Sequence, residues 1–291
     1  LSFILTGFLL LYFINYKYSG ILSSDLNDID VVLMPDKFKN IIMLCLLIGF
    51  FINMAIVPFQ WYIIDTLTSA PQGLSILVAT SLNIAISYSF IRYVYFVFEY
   101  EIYTKSVIIC IFSILTIIYS ALCIAQEKNL KRIISYSAVT SAGLFLFGLS
   151  SLNIMGITGG IMCLVLYSLF ITGLFIIEQH IYNSCGTDNI IRIKGLCHKM
   201  PKLSVISFAF FLLMPLFFSF IPILLCINGR FQTFNTDGVI IKLLTLIALI
   251  SILLYIVKYV YVYCQIFTGI NIVKRKITDI NIKSLLLLLI I

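Results

Sequence analysis

Apolar stretches long enough to cross a bilayer follow one another along almost the whole of this chain, and few folds are compatible with that. A helix rises 1.5 Å per residue, so crossing about 30 Å of hydrocarbon takes about 20 predominantly apolar residues. Stretches of this kind run over 41–64, 73–98, 104–125, 132–150, 155–181, 203–227 and 238–264, with shorter ones at 1–16 and 284–291. In lipid every backbone polar group must be satisfied internally, so each stretch is expected to be a helix. Strands of a membrane barrel would need only about 10 alternating residues each, and the sequence has no such two-residue rhythm. The expected fold is all-α, a polytopic transmembrane helix bundle of about eight or nine spans, with 1–291 forming one transmembrane domain. Residue 1 is Leu and the last apolar run is short, so the chain reads as truncated at both ends.

Composition removes the soluble alternative. The chain is 62% hydrophobic and 11% charged, with a mean hydropathy of +1.12. Soluble domains carry roughly 25% charged residues. A soluble surface could not be built from what remains here.

Charge then sets the orientation, because loops rich in Lys and Arg stay on the cytoplasmic side. Lys128, Lys131, Arg132, Arg192, Lys194, Lys199, Lys202, Lys274, Arg275, Lys276 and Lys283 fall in connections that share one side. The opposite side holds Lys17, Lys37, Lys39, Lys105 and Arg230, offset by Asp25, Asp28, Asp30, Asp36, Glu99 and Glu101. The connections at 65–72, 126–131, 182–202 and 265–283 are therefore expected on the cytoplasmic or matrix side. The formal charge of +7 reads as topology, and nucleic acid is not an expected partner.

Several chemistries find no support. None of the eight cysteines forms a C-x-x-C pair, and Cys185, Cys197 and His198 share a loop without a fourth ligand. No metal or other cofactor is expected in this chain. Iron–sulfur spacing, a P-loop and a dinucleotide fingerprint are all missing from the sequence.

Ionisable and polar groups inside spans are costly and usually face a bundle interior. The run FFINMAIVPFQWYIIDTLTSAPQG, 50–73, stands out. Pro58 removes a backbone donor and Pro71 follows a polar stretch, so the helix is expected to break or unwind around 58–72, within a discontinuous region near 50–72. The plainer reading is a helix end, a loop and the next helix. Glu178 and His180 lie two apart and so do not share a helix face. Arg92 and Lys258 fall near interfaces, where snorkelling accounts for them. Lys131 and Arg132 are placed to meet anionic lipid headgroups or a helix C-terminus.

Four runs, in order, carry a family resemblance. NMAIVPFQWYIID (53–65), followed by SAP, resembles K-M-x-x-V-P-F-H-x-W-L-P-D-A-H…A-P of the antiporter-like membrane subunits of NADH-quinone oxidoreductase, respiratory complex I. AQEKNLKRIISYSAVTSAG (125–143) is similar to A-Q-x-D-L-K-R-L-I-A-Y-S-S-V-S-H-M-G. The stretch 167–201, from YSLF to KMP, resembles H-G-L…L-F…Y…T-R-D…G-G-L-x-x-K-M-P, and IPILLCINGRF (221–231) takes the place of I-P-x-x-x-x-F-x-G-E/K-F. The tail is similar to chain M, called subunit 4 in mitochondria. The corresponding antiporter-like subunit of Mrp-type cation/proton antiporters shares these motifs.

The resemblance implies a membrane-arm subunit that moves protons or Na⁺ through buried ionisable side chains and water, beside neighbouring membrane subunits. Redox chemistry would lie in other chains. Carried over by position, most of the family's titratable groups are replaced. Asn53 stands for the lysine of the broken helix and Gln60 for the histidine before the tryptophan. The lysine of the next helix falls on Asn83 or Ile84. Tyr167 stands for the histidine of H-G-L, and Arg230 for the acid of G-E-F. Pro58, Asp65, Pro71, Lys131, Arg132 and Pro201 keep the pattern. The pathway positions carried over are thus Arg230, Asn53, Asn83, Gln60 and Tyr167, and Glu178 is a further ionisable residue that could substitute on the pathway. Two readings stay open: a conducting subunit with rerouted polar groups, or a structural relative that no longer conducts.

Overall fold

A computed structural model describes residues 2–19, 35–212, 220–232 and 239–269. The predicted apolar run 284–291 and the basic cluster at 274–283 lie outside the described residues. Within them the chain is helical, as expected from the hydropathy: α1 (Ser2–Ser19), α2 (Asp36–Asn53), α3 (Trp61–Ser69), α4 (Gln72–Leu77), α5 (Asn83–Phe90), α6 (Glu99–Gln126), α7 (Leu130–Leu149), α8 (Ile154–Cys185), α9 (Pro201–Phe208), α10 (Phe220–Gln232) and α11 (Val239–Phe267). The α4–α5 segment is one continuous apolar rod, Gln72–Tyr95, with wider π turns at Val78–Leu82 and Ile91–Tyr95. Among the described residues, five helices have the length and apolarity to cross a bilayer unaided: this rod, α6, α7, α8 and α11. The predicted span 203–227 falls on Pro201–Leu212 and Phe220–Gln232.

The span predicted over 41–64 is interrupted. α2 stops at Asn53, α3 resumes at Trp61, and Val57–Pro58 is a cis peptide. The break thus lies over 54–60, starting ahead of Pro58, and 61–69 is helix again. The backbone begins to leave the helix at Ala55, whose φ of 59° is left-handed. Released amides find new partners: Ile56 N donates to Phe51 O at 3.0 Å, and Val57 N to Thr116 Oγ1 of α6 at 3.2 Å. An interrupted helix survives in lipid only when protein groups take up its freed backbone. A second stop follows at Ala70, extended and leading into Pro71, which restarts the chain as α4.

α7 is the hub. It packs on α6 and α8, and α10 packs on α8 and α7. Its apolar window is 89% buried, against 22% for Gln72–Tyr95, which sets one at the centre and the other at the rim. Side chains on the central helix include Ser135, Ser137, Thr140 and Ser141, all buried. Close approach at the α8–α10 crossing depends on glycine: a Cβ at Gly229 would stand 2.6 Å from the Gly156 Cα. Small residues permit this kind of backbone contact where lipid offers no hydrophobic drive for helices to associate.

The connections at 65–72, 126–131 and 182–202 meet the described start of 265–283 at one end of the bundle. Lys131 Nζ donates to Ala70 O at 2.7 Å. Asn129 and Asn189 form an antiparallel bridge, with Leu130 N donating to Asp188 O at 2.9 Å and Ile190 N to Lys128 O at 3.0 Å. Gly195 N reaches Thr268 O at 3.3 Å. Because this end carries the basic loops, it is the cytoplasmic or matrix face of a multi-pass membrane protein.

Candidate functional site

The polar groups of the interior fall into three places along α7. At its inner end, Asn129 caps the helix, its Oδ1 accepting from Lys131 N at 3.0 Å. The cap turns the Lys131 side chain to the α3–α4 connection, where it meets the Ala70 carbonyl at the C-terminus of α3. A cation is favoured at that end of the helix dipole. Beside it, Gln72 Nε2 donates to Glu178 Oε2 at 3.2 Å and to the Phe175 carbonyl. Glu178 is only 4% exposed. Its carboxyl lies within hydrogen-bonding reach of Asp188 and within electrostatic range of Lys131. Further out, Arg132 and Asp65 approach to 3.8 Å with both side chains largely exposed, a geometry worth little in water.

Around the middle, hydroxyls and amides replace charges. Asn83, directly after the first π turn, donates to Ser141 Oγ at 3.3 Å. Thr140 Oγ1 lies 3.0 Å from Ser120 Oγ of α6. The rings of Tyr255 and Tyr259 on α11 are 4.7 Å apart, and Tyr167 of α8 packs 6.1 Å from Tyr255. Between the helix break and the π-wound rod lies a cavity of about 470 Å³ lined by Asn53, Ala55, Tyr62, Asn83 and Val139, among others. π turns recur at functional sites because they displace one side chain from the helical ladder. Asn53 itself donates back to Gly49 O at 2.8 Å.

The outer end is held by Arg230. Its guanidinium, 1% exposed, donates to Ser150 O at 2.5 Å, where Ser150 is the C-cap of α7. A buried guanidinium needs such acceptors, since an unsatisfied charge in lipid is prohibitive. Close by, Asn153 Nδ2 donates to Gln232 Oε1 at 2.5 Å.

The structure therefore brings Asn53 and Asn83 to one cavity and places Tyr167 in the tyrosine cluster. Gln60 is buried, with no hydrogen-bond partner at its side-chain oxygen. Arg230 stands at the far end of α7 from Glu178 and Lys131. Pro58 and Pro71 bracket α3. Glu178 lies about two turns inside the end of α8. Arg92 meets Tyr88, and the half-buried Lys258 donates to Ala125 O at 2.9 Å. Sequence reasoning had passed over Gln72, Asp188, Ser137, Tyr255 and Tyr259. Asp188 was legible as the acid of the T-R-D pattern; the others had no signal apart from packing. Among the described residues no group of three or more His, Cys, Asp or Glu side chains is arranged to hold a metal.

Known proteins resemble this chain in sequence and fold. The chain is 27% identical over 274 residues to NADH-ubiquinone oxidoreductase chain 4 of Dictyostelium discoideum, covering 90% of this chain and 49% of that one. It thus spans about half the length of that curated relative. Among solved structures, a chain of respiratory complex I from Thermus thermophilus matches with a TM-score of 0.85 at 19% identity, over 99% of this chain and 62% of that one. A chain of the Mrp complex from a Dietzia species matches with a TM-score of 0.79 at 17% identity, over 93% and 50%. At those identities the structural likeness shows the fold. Residues 2–248 match the family described as NADH:quinone oxidoreductase/Mrp antiporter, transmembrane, and that match spans most of the chain. The chain belongs to this family of antiporter-like membrane subunits.

Proposed function

We propose that this chain is a proton-translocating, antiporter-like subunit of the membrane arm of an NADH-quinone oxidoreductase, moving protons while quinone is reduced in other subunits. The observation that carries the reading is the line of polar groups along α7. Glu178, Asp188 and Lys131 sit at its inner end, Ser137, Thr140 and Ser141 at its centre, and Arg230 at its outer end. Hydroxyls and amides order water and relay protons without titrating, and charged groups at both ends supply the field that drives them. Neighbouring membrane subunits, the bilayer and protons are the expected partners. Na⁺ takes the proton's place if the chain works in a multisubunit antiporter of the Mrp type, which the Dietzia likeness keeps in view.

A second reading, a structural subunit that does not conduct, is favoured by a different observation. Asn53, Gln60, Asn83 and Tyr167 occupy positions where the family has titratable groups, and none of them titrates near neutrality. Several central hydroxyls also donate to carbonyls of their own helix, as Ser137 does to Ile134 O and Ser141 to Ala138 O.

The complete complex, reconstituted in liposomes, separates them. Arg230→Ala lowers the proton-to-electron ratio if the chain conducts, and Arg230→Lys restores part of it. An unchanged ratio in an assembled Arg230→Ala complex rejects conduction. Dependence of transport on Na⁺ without NADH oxidation assigns the chain to the Mrp type instead.

A further inference from the structure

We infer that the cavity beside the helix break is a lipid site: it takes one acyl chain of an anionic phospholipid, whose phosphate sits on Arg132 at the cytoplasmic or matrix surface. The inference is independent of whether the chain conducts.

The shape of the site comes from the turn at Pro71. α3 ends at Ser69, Ala70 and Pro71 are extended, and the rod starts at Gln72, so the two helices part from this junction with the cavity of about 470 Å³ between them. Ala79 of the rod and Val139 of α7, both buried, close its back. Thr66 flanks the opening with Leu74 and Leu82, each 50% exposed. That opening looks outward, since among the described residues the rod is the least buried of the spanning helices. From Leu74 to Ile86, both on the lining, the rod rises about 18 Å, a little over one leaflet of a hydrocarbon core about 30 Å thick. One acyl chain matches that span.

The lining suits hydrocarbon better than water. Most of it is apolar, and its polar side chains are turned to protein partners: Asn53 Nδ2 donates to Gly49 O at 2.8 Å, Asn83 Nδ2 to Ser141 Oγ at 3.3 Å and Thr66 Oγ1 to Ile63 O at 2.8 Å. A buried water needs several polar partners, whereas an apolar cavity stays dry or takes an apolar guest. Lipid lies against the exposed Leu74 and Leu82, so a chain enters sideways without leaving the bilayer.

Charge marks where the headgroup goes. Arg132 precedes Val139 by two helical turns and shares its face of α7, which puts the guanidinium on the loop side of the cavity's back wall. Asp65, next to Thr66 on α3, stands 3.8 Å from it, too far for a hydrogen bond, and the Arg132 side chain is 46% exposed. A guanidinium carries five donors in a fork that fits phosphate, so Arg132 serves a phosphate while Asp65 stays beside it. Lys131, one position earlier, adds positive charge while donating to Ala70 O.

Photo-crosslinking of the assembled complex in phosphatidylcholine liposomes tests the site. The probe is phosphatidylglycerol with a diazirine midway along one acyl chain, and labelled residues are read by peptide mass spectrometry. Label is expected on Val78, Ala79 and Val139, and it should fall in Val78→Trp, which fills the cavity. Leu82→Trp, at the exposed opening where a larger side chain disturbs folding least, should block entry and lower the same label. Arg132→Gln should weaken labelling by about fivefold, the worth of one charge near an anionic surface, and a diacylglycerol probe, which has the chains and no phosphate, should label less than phosphatidylglycerol. Lining label that both Trp variants reduce and Arg132→Gln weakens supports the inference. Label confined to the outward Leu77, as when a neighbouring subunit covers the opening, overturns it, and so does lining label that neither Trp variant changes. Lining label insensitive both to Arg132→Gln and to loss of the phosphate overturns the place given to the headgroup.

Discussion

Lys131 and Ala70, 61 residues apart, are joined by a hydrogen bond of 2.7 Å from the ammonium to the carbonyl that ends α3. The bond ties the start of the central helix to the broken one. It also fills an acceptor that the helix end leaves open.

Removing the ammonium should therefore loosen the break. Lys131→Met is expected to cost about 1 kcal/mol, because the part-buried Ala70 acceptor it leaves unpaired is partly open to solvent. Lys131→Arg should recover part of it. Thermal unfolding of the detergent-solubilised chain measures both, and a Lys131→Met variant as stable as the parent would show that the bond contributes nothing.

Ala55 holds a left-handed backbone where only glycine is free of strain. The penalty for an L-residue there is about 1–2 kcal/mol. Ala55→Gly should match or exceed the parent's stability, and Ala55→Val should unfold at a lower temperature. The reverse order would mean that the break does not turn at this residue.

At the α8–α10 crossing there is no space for a side chain on Gly229, which also adjoins Arg230. Gly229→Leu should push α10 away, costing about 1–3 kcal/mol as overpacking does, and should withdraw Arg230 from Ser150. Gly229→Ala is expected to show a smaller loss. Disulfide trapping between paired cysteines on α8 and α10 would register the separation.

Asn83 spans the π turn and the central helix through Ser141. Asn83→Ala should lose about 0.5–1.5 kcal/mol, the net value of one internal hydrogen bond. Ser141→Ala should lose a similar amount, and the double variant less than the sum, because both remove one interaction. Strict additivity in denaturation measurements would refute the pairing.

Cys197 is exposed in the connection 182–202. A membrane-impermeant maleimide should label it from the cytoplasmic or matrix side in sealed vesicles. Labelling from the opposite face would invert the topology.

How far the sequence reaches differs between these features. Length and apolarity alone made the chain a membrane-spanning helical bundle, because lipid permits no other use of such stretches. Lys and Arg in the loops oriented it, Pro58 marked where the stretch 41–64 gives way and Pro71 the stop before α4, and four ordered motifs carried the family. The break still began earlier than the prolines implied, at Ala55, because the freed amides beyond it find partners only in the packed bundle, as Val57 N does in Thr116 of α6. Facing was hidden for a general reason: core and lipid are both apolar, so the helices show little amphipathic stripe to read. Only packing could bring Glu178 to Asp188, Asn53 and Asn83 to one cavity, and Arg230 to Ser150 across 80 residues. Which segments enter the membrane depends on local transfer energy, and the sequence by itself decides that; which polar groups meet inside it depends on how the helices cross, and that belongs to the tertiary structure.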